Sequence, residues 1–405
     1  MNILQINTSD VKGGAAIAGY RLHSSLRSHG HDSKLIVRTR SIDLPEIFEI
    51  KRSSLISFIA RNSTKLIGLN YVGILGTSSI SKHPFFTESD ILNFHNLHGG
   101  YFNYLSIPSL TREKPAVWTL HDMWSFTGHC SYSYDCDRWK SGCGSCPYPN
   151  EYPKIYFDNT RLEWILKNRA YANSNLHIVA PSRWLCGLAK DSMLNRFSVS
   201  HIPNGLDLDI YKPFDREECR NRLGIPDNKK VLLFSAFNIE DRRKGGDLLY
   251  KALEKIPSSL RNDICLLVIG EGEKAPRLID GMDIINLGFI EDEESKAIAY
   301  SSADLLVFPT RADNLPLVLQ ESMACGTPMV SFRVGGVPEL VRPGLTGYLA
   351  EPEDPDSLVK GIVQLLEDDN LRNKMSESCR SIALEEYSLD KQAKSYIKLY
   401  ESILS

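Results

Sequence analysis

The chain has 405 residues, of which 42% are hydrophobic and 24% charged; this is ordinary globular usage, so wholesale disorder and collagen-like or coiled-coil architectures are excluded. At roughly 100–200 residues per domain, the length makes two or three domains. Lys and Arg number 47 against 50 Asp and Glu, a net charge of −3, so nothing draws the whole chain to nucleic acid and any anion site is local.

The opening MNILQINTSDVKGG has too short an apolar run, and no basic leader, for a secretion signal. No run approaches the ~18 apolar residues of a membrane span. Nine cysteines, an odd number, argue against a disulfide framework in such a chain. A cytoplasmic, reducing location is expected.

Short apolar runs alternate with longer amphipathic stretches, the pattern of parallel strands joined by crossover helices. Strands are expected at Asn2–Asn7, Ser33–Arg38, Asp90–Phe94, Ala116–Leu120 and Leu176–Ala180. A second series is expected at Lys230–Ala236, Ile264–Gly270, Asp304–Pro309 and Pro328–Phe332. Helices fit between them, among them Ala15–His29, Lys244–Lys255 and Leu317–Cys325. The fold class is therefore α/β, with two Rossmann-like domains. IPNGLDLDIYKP, from Ile202 to Pro213, breaks both periodicities and is the expected hinge. Ligands of such sheets bind beyond the carboxyl ends of the strands, which makes an interdomain cleft the expected site.

The densest signal is VFPTRADNLPLVLQESMACGTPMVSFRVGGVPELV, from Val307 to Val341. A strand ends at Pro309, a polar turn follows, and a helix starts near Leu315, offering free N–H groups to a phosphate. Asp313 and Glu321, about two helical turns apart, are expected on the cleft side, where carboxylates accept hydroxyls of a ribose or a sugar. Gly335 and Gly336 allow close backbone approach to a ligand.

This segment resembles the E-x7-E nucleotide-sugar signature of the retaining glycosyltransferases of family 4, which have the GT-B fold; here the pair is Asp313 and Glu321, with Asp where the family usually carries Glu. IPNGLDLDIYKP resembles the family's interdomain segment, and GGVPELVRPGLTGYLAEPEDPDSL its Gly-Gly-x-Pro-Glu region. EEYSLDKQAKSYIKLYESIL resembles its last helix. The resemblance implies an acceptor-binding domain at 1–203, a nucleotide-sugar domain at 204–385 and a returning helix at 386–405. It also implies sugar transfer from a nucleoside-diphosphate sugar to an acceptor hydroxyl with retention, in surface polysaccharide or glycolipid assembly, with no metal needed for catalysis.

Residue by residue, the resemblance assigns Lys244, in FSAFNIEDRRKGGDLL, to the departing diphosphate. Arg243, or else Arg242, stands in for the arginine that the family carries sooner after the strand. Asn314, Leu315 and Leu317 join Asp313 and Glu321 on the donor side, and Gly13 and Gly14 match the donor loop after the first strand. His121, in WTLHDMW, matches the family's His beside the donor sugar, with Asp122 either orienting it or capping the next turn. In NFHNLHGGY, His95, Asn96 and His98 suit acceptor hydroxyls; a metal trio of His95, His98 and His121 is a further reading.

GHCSYSYDCDRWKSGCGSCPYP places Cys130, Cys136, Cys143 and Cys146 at spacing C-x5-C-x6-C-x2-C. Four thiolates on a short loop suit a structural zinc site, with Cys143-x-x-Cys146 as the usual ligand turn; of the rival readings, two disulfides are disfavoured in a reducing compartment and an iron–sulfur cluster by the spacing. The stretch Ile50 to Thr87 holds Lys51, Arg52, Arg61, Lys65 and Lys82 and no Asp or Glu. With Leu55, Ile56, Phe58 and Ile59 it reads either as an interfacial helix on anionic lipid, suiting a lipid-linked acceptor at the inner face of the membrane, or as ordinary core. A nucleotide-sugar epimerase of the same fold and a non-catalytic binding subunit are the other functions open at this point.

Overall fold

The structure, a computed structural model, describes residues 1–50, 62–64, 66–226, 228–272 and 279–405. Its chain divides into two units, Met1–Gly205 with Asp390–Ser405, and Leu206–Leu389. The boundaries thus fall after 205 and 389 rather than after 203 and 385. Leu206 is tied into the second unit, its N–H donating to the Tyr387 carbonyl and its carbonyl accepting from Leu389.

In the first unit, apolar runs become β1 (Asn2–Ser9), β2 (Asp32–Thr39), β3 (Ile47–Glu49), β4 (Ile91–Phe94), β5 (Ala116–Thr119), β6 (Leu176–Ala180) and β7 (Val199–His201). They pair in parallel in the order β3-β2-β1-β4-β5-β6-β7. One face packs Leu4, Phe94, Trp118 and Ile178 on Phe102, Trp124 and Tyr171. The other packs Ile3, Ile91, Val117 and Val179 on Leu22 and Leu26 of the helix Gly14–Ser28 and on Tyr396 and Tyr400 of the last helix, Leu389–Leu404. Asn93 donates to the Tyr400 hydroxyl at 3.0 Å, and Thr119 shares a hydrogen bond with Tyr396 at 2.9 Å.

The second unit contains β8 (Lys230–Asn238), β9 (Ile264–Glu271), β10 (Asp283–Gly288), β11 (Leu305–Phe308), β12 (Met329–Phe332) and β13 (Gly347–Ala350). Their parallel order is β10-β9-β8-β11-β12-β13. Alternate residues serve opposite cores: Leu233, Leu267, Leu306 and Phe308 face the helices Glu293–Ser302 and Leu317–Ala324, whereas Leu232, Leu266, Leu305 and Val307 face Gly246–Leu253 and Pro355–Glu367. That strict alternation is the strand period at work, with each face covered by crossover helices.

No helix among the described residues is long and apolar enough to cross a membrane. Of the basic and apolar stretch that suggested a lipid contact, Lys51, Arg52, Arg61, Lys65, Leu55, Ile56, Phe58 and Ile59 lie outside the described residues. Lys82 is described, and is exposed.

Candidate functional site

In the second unit, the chain leaves β8 and makes a short turn at Arg242–Lys244 before the helix Gly246–Leu253 begins. The expected helix from Lys244 therefore starts two residues late. Gly245 takes a left-handed φ of 74°, and a Cβ there would lie 1.8 Å from the Pro309 carbonyl oxygen, so only glycine lets the turn lie against the end of β11. The Arg243 carbonyl accepts from Arg311 N–H and from the Thr310 hydroxyl, fixing the turn to the loop after β11.

These close approaches put Lys244 Nζ 2.6 Å and Arg243 Nη1 3.0 Å from the same Asp313 oxygen. Burial works to raise the Asp313 carboxyl, but Lys244 and Arg243 outweigh it and hold the group below its ordinary value. Burial, and next the charge of Arg243, lower the Lys244 ammonium. Gly335 was expected to make room for a ligand; it makes room for Asp313, since a Cβ at Gly335 would sit 2.0 Å from the Asp313 carbonyl oxygen. The Gly336 N–H donates to that same oxygen.

Asp313, Asn314 and Leu315 lie in a loop, and the helix runs Leu317–Ala324. Asp313 and Glu321 are thus not two positions on one helix face. Glu321 is buried within the helix, where its Oε2 accepts from the Tyr300 hydroxyl at 3.0 Å. Burial, and then the Glu321 charge, push the Tyr300 phenol well above its usual range, so it stays a donor. Sequence reasoning missed Arg311, which holds Asp247 through two 2.8 Å bonds and Glu353 through one, and so braces the cation turn.

In the first unit, Gly13 has a left-handed φ of 95° and caps the helix Gly14–Ser28, its carbonyl accepting from Ala16 and Ile17. The preceding Asp10 carboxylate accepts backbone N–H groups of Val11, Ser41 and Ile42 and so fixes the loop after β1.

At the ends of β4 and β5, polar side chains form a one-directional chain. His121 Nε2 lies 2.9 Å from His95 Nδ1, and His95 Nε2 lies 2.8 Å from Gln5 Oε1. Gln5 Nε2 donates to Ser33 Oγ at 3.0 Å, and Ser33 Oγ lies 2.9 Å from His23 Nδ1. The Gln5 oxygen can only accept, so His95 carries its proton on Nε2, His121 donates from Nε2, and the His121 lone pair is on Nδ1. Burial lowers His121 to about 4 and His95 well below its usual value, so both rings are neutral near pH 7.

The acceptor reading of His95 is corrected by this arrangement, because both of its ring nitrogens serve protein partners. Asp122 bears on His121 through its charge, and it also caps the next turn. Its carboxylate meets His98 Nε2 at 2.9 Å and accepts the Trp124 N–H. His98 Nδ1 also lies 3.3 Å from the Tyr152 hydroxyl. The Asn96 carbonyl accepts from Thr8 and Tyr101. Hence the three histidines do not form a metal trio. Among the described residues, no group of three or more His, Cys, Asp or Glu is arranged to hold a metal ion as it stands. A second residue missed from sequence is Lys167, a buried lysine whose ammonium donates to the Trp124 and Thr127 carbonyls and pins the segment after His121.

Two parallel, doubly covered sheets, with a cation turn beside a carboxylate loop in the second, define an α/β protein of two Rossmann-like units. Residues 12–210 match the model described as Glycosyltransferase Family 4, and residues 215–381 that described as Glycosyl transferases group 1. The chain belongs to the family-4 glycosyltransferases, and its fold is GT-B.

Among its relatives, WcaC of Escherichia coli, a glycosyl transferase named for colanic acid biosynthesis, is 25% identical over 365 residues, 84% of this chain and 85% of that protein. A lipopolysaccharide 1,2-N-acetylglucosaminetransferase of Salmonella typhimurium is 30% identical over 240 residues, 55% of this chain. The match spans 61% of the Salmonella protein, and that to an N-acetyl-alpha-D-glucosaminyl L-malate synthase of Bacillus anthracis spans 54% of its length. HepE of Anabaena, solved with UDP-glucose, superposes with a TM-score of 0.71 at 16% identity over 99% of both chains. Sucrose-phosphate synthase of Thermosynechococcus elongatus gives 0.73 at 18% identity, over 100% of this chain and 99% of that one.

Proposed function

We propose that this glycosyltransferase moves a sugar from a nucleoside-diphosphate sugar to an acceptor hydroxyl, with retention of anomeric configuration, in the assembly of a surface polysaccharide or glycolipid. The observation that carries this reading is the Arg243–Lys244 turn held against Asp313 just before the helix Leu317–Ala324. As the bond to the sugar breaks, negative charge grows on the diphosphate, and two cations already fixed in place stabilise it without reorganising. The amides of Leu315 and Leu317 add dipoles of the same sign, whereas the Asn314 amide donates to Asp313 Oδ1 at 3.2 Å and holds the loop. Glu321 offers acceptor lone pairs to ribose or sugar hydroxyls, and neutral His121 stands beside the transferred sugar.

Retention follows if the acceptor hydroxyl attacks on the face the diphosphate leaves, giving its proton to a diphosphate oxygen. Catalysis then consists of positioning and charge stabilisation. Support for the donor class comes from HepE, solved with UDP and with UDP-glucose. The colanic acid and lipopolysaccharide relatives support the product class. A screen of nucleoside-diphosphate sugars, reading diphosphate release with and without saccharide and lipid-linked acceptors, tests the proposal. Acceptor-dependent release is expected. Conversion of the donor sugar without any acceptor would instead mark an epimerase, and no turnover of any donor a binding subunit.

A further inference from the structure

The cysteine loop plays no part in the chemistry above, yet its four cysteines share one cavity. Cys130, Cys136, Cys143 and Cys146 all line one small cavity of about 20 Å³, together with His129, Trp139 and Thr160. That volume suits one water-sized species. None of the four is in a disulfide. They lie within one 17-residue segment, Cys130 and Cys136 before the short turn Arg138–Lys140 and Cys143 and Cys146 after it.

The backbone around the last pair is tightly wound. Cys143, Gly144 and Ser145 follow one another at positive φ of 51°, 96° and 48°, a run that L side chains rarely adopt. The amides of Gly142 and Cys143 both donate to the Arg138 carbonyl, Gly144 N–H donates to Thr160 Oγ1, and Cys146 N–H donates to Asp158. Polar groups also address the sulfurs: Gly128 N–H donates to Cys143 Sγ at 3.2 Å, and His129 Nε2 lies 3.1 Å from Cys146 Sγ. His129 is itself fixed by the Pro153 carbonyl at Nδ1.

We propose that this loop is a structural zinc site in which Cys130, Cys136, Cys143 and Cys146 are the four ligands. Zinc favours tetrahedral thiolate sets with a two-residue spacer such as that between Cys143 and Cys146. As placed, no three side chains are arranged to hold the ion, so binding turns the thiols inward on the cavity they already line. Four thiolates leave no open position, and the metal acts as a clip. It joins the segment that follows His121 and Asp122 to the start of the helix Thr160–Ala172, where Gly144 meets Thr160. His129 touches a ligand sulfur without being a ligand.

The test is elemental analysis of the full, untagged chain purified under reducing conditions with zinc and then desalted, paired with cobalt substitution and mass-resolved alkylation. Near one zinc per chain is expected, with the intense charge-transfer absorption of a tetrahedral cobalt–thiolate centre, and four cysteines protected until a chelator is added. Cys136→Ser and Cys143→Ser should each lose most of the metal, while His129→Gln keeps it. A wild-type chain without zinc, whose four thiols alkylate freely or are joined in disulfides, would overturn the site. Loss of zinc in His129→Gln, with retention in either serine variant, would overturn the ligand set.

Discussion

Lys244 Nζ and Asp313 Oδ2 lie 2.6 Å apart, and Arg243 Nη1 reaches the same oxygen from 3.0 Å. A short turn after β8 and a loop after β11 are thus locked by one carboxylate between two cations. Each of the three charges is largely withdrawn from water, so the arrangement costs desolvation that only mutual pairing offsets.

If those cations serve the leaving diphosphate, Lys244→Ala should lower kcat/KM by at least ~10²-fold, and Glu321→Ala should do the same through lost donor contacts. Steady-state kinetics on the preferred donor checks both. A Glu321→Ala enzyme as active as wild type would remove Glu321 from the donor site.

Asp313→Asn leaves the two cations without their counter-charge. A loss of unfolding free energy on the order of 2–4 kcal/mol is expected in the absence of ligand. Added nucleoside diphosphate should restore more stability to this variant than to wild type, because its phosphates supply the missing negative charge. Denaturant melts with and without nucleotide read this directly, and equal nucleotide effects in the two proteins would contradict it.

Gly245→Ala and Gly335→Ala introduce a Cβ 1.8 Å from the Pro309 oxygen and 2.0 Å from the Asp313 oxygen, at left-handed φ of 74° and 53°. Both backbones must move, at an expected cost of at least ~2 kcal/mol each, with loss of donor turnover. Gly13→Ala, where a Cβ would meet nothing within 4 Å, should be milder in stability.

The buried histidines give a pH dependence whose sign is fixed. His23 and His121 fall from an ordinary 6.5 to about 4, in each case through burial first. The unfolded chain therefore binds more protons between those values. Stability is fully present above about pH 6.5 and is lost as the pH falls toward 4, by roughly 3 kcal/mol per histidine. Chemical denaturation at a series of pH values checks the slope. Gln5→Leu, which removes the acceptor that sets the His95 proton, should lower kcat by roughly tenfold with KM nearly unchanged and shift the pH–rate profile.

How far the sequence reveals this structure depends on burial. The strands β1, β2, β4, β5, β6, β8, β9, β11 and β12 are sheet-interior, and their apolar runs are readable. The four strands without such a signal, β3, β7, β10 and β13, are all sheet edges. Two are three residues long, and β10 has no fully buried residue. Edge strands need no doubly buried run, so nothing announces them. At the site, Lys244, Arg243 and Asp313 stand out as charges at strand ends. Arg311 does not, because its role depends on Asp247 and Glu353, which only the folded chain brings to it. Gln5 left a trace, as a polar residue inside an apolar strand, but its partners come from elsewhere, Ser33 from β2 and His95 from the loop after β4.

Retaining transfer is tested most directly by the anomeric configuration of the product, followed by NMR during turnover of the preferred nucleoside-diphosphate sugar with its acceptor. Retaining transfer releases one nucleoside diphosphate per glycoside formed, with the donor's anomeric configuration kept in the product. An inverted product, or glycoside formed without diphosphate release, would contradict it.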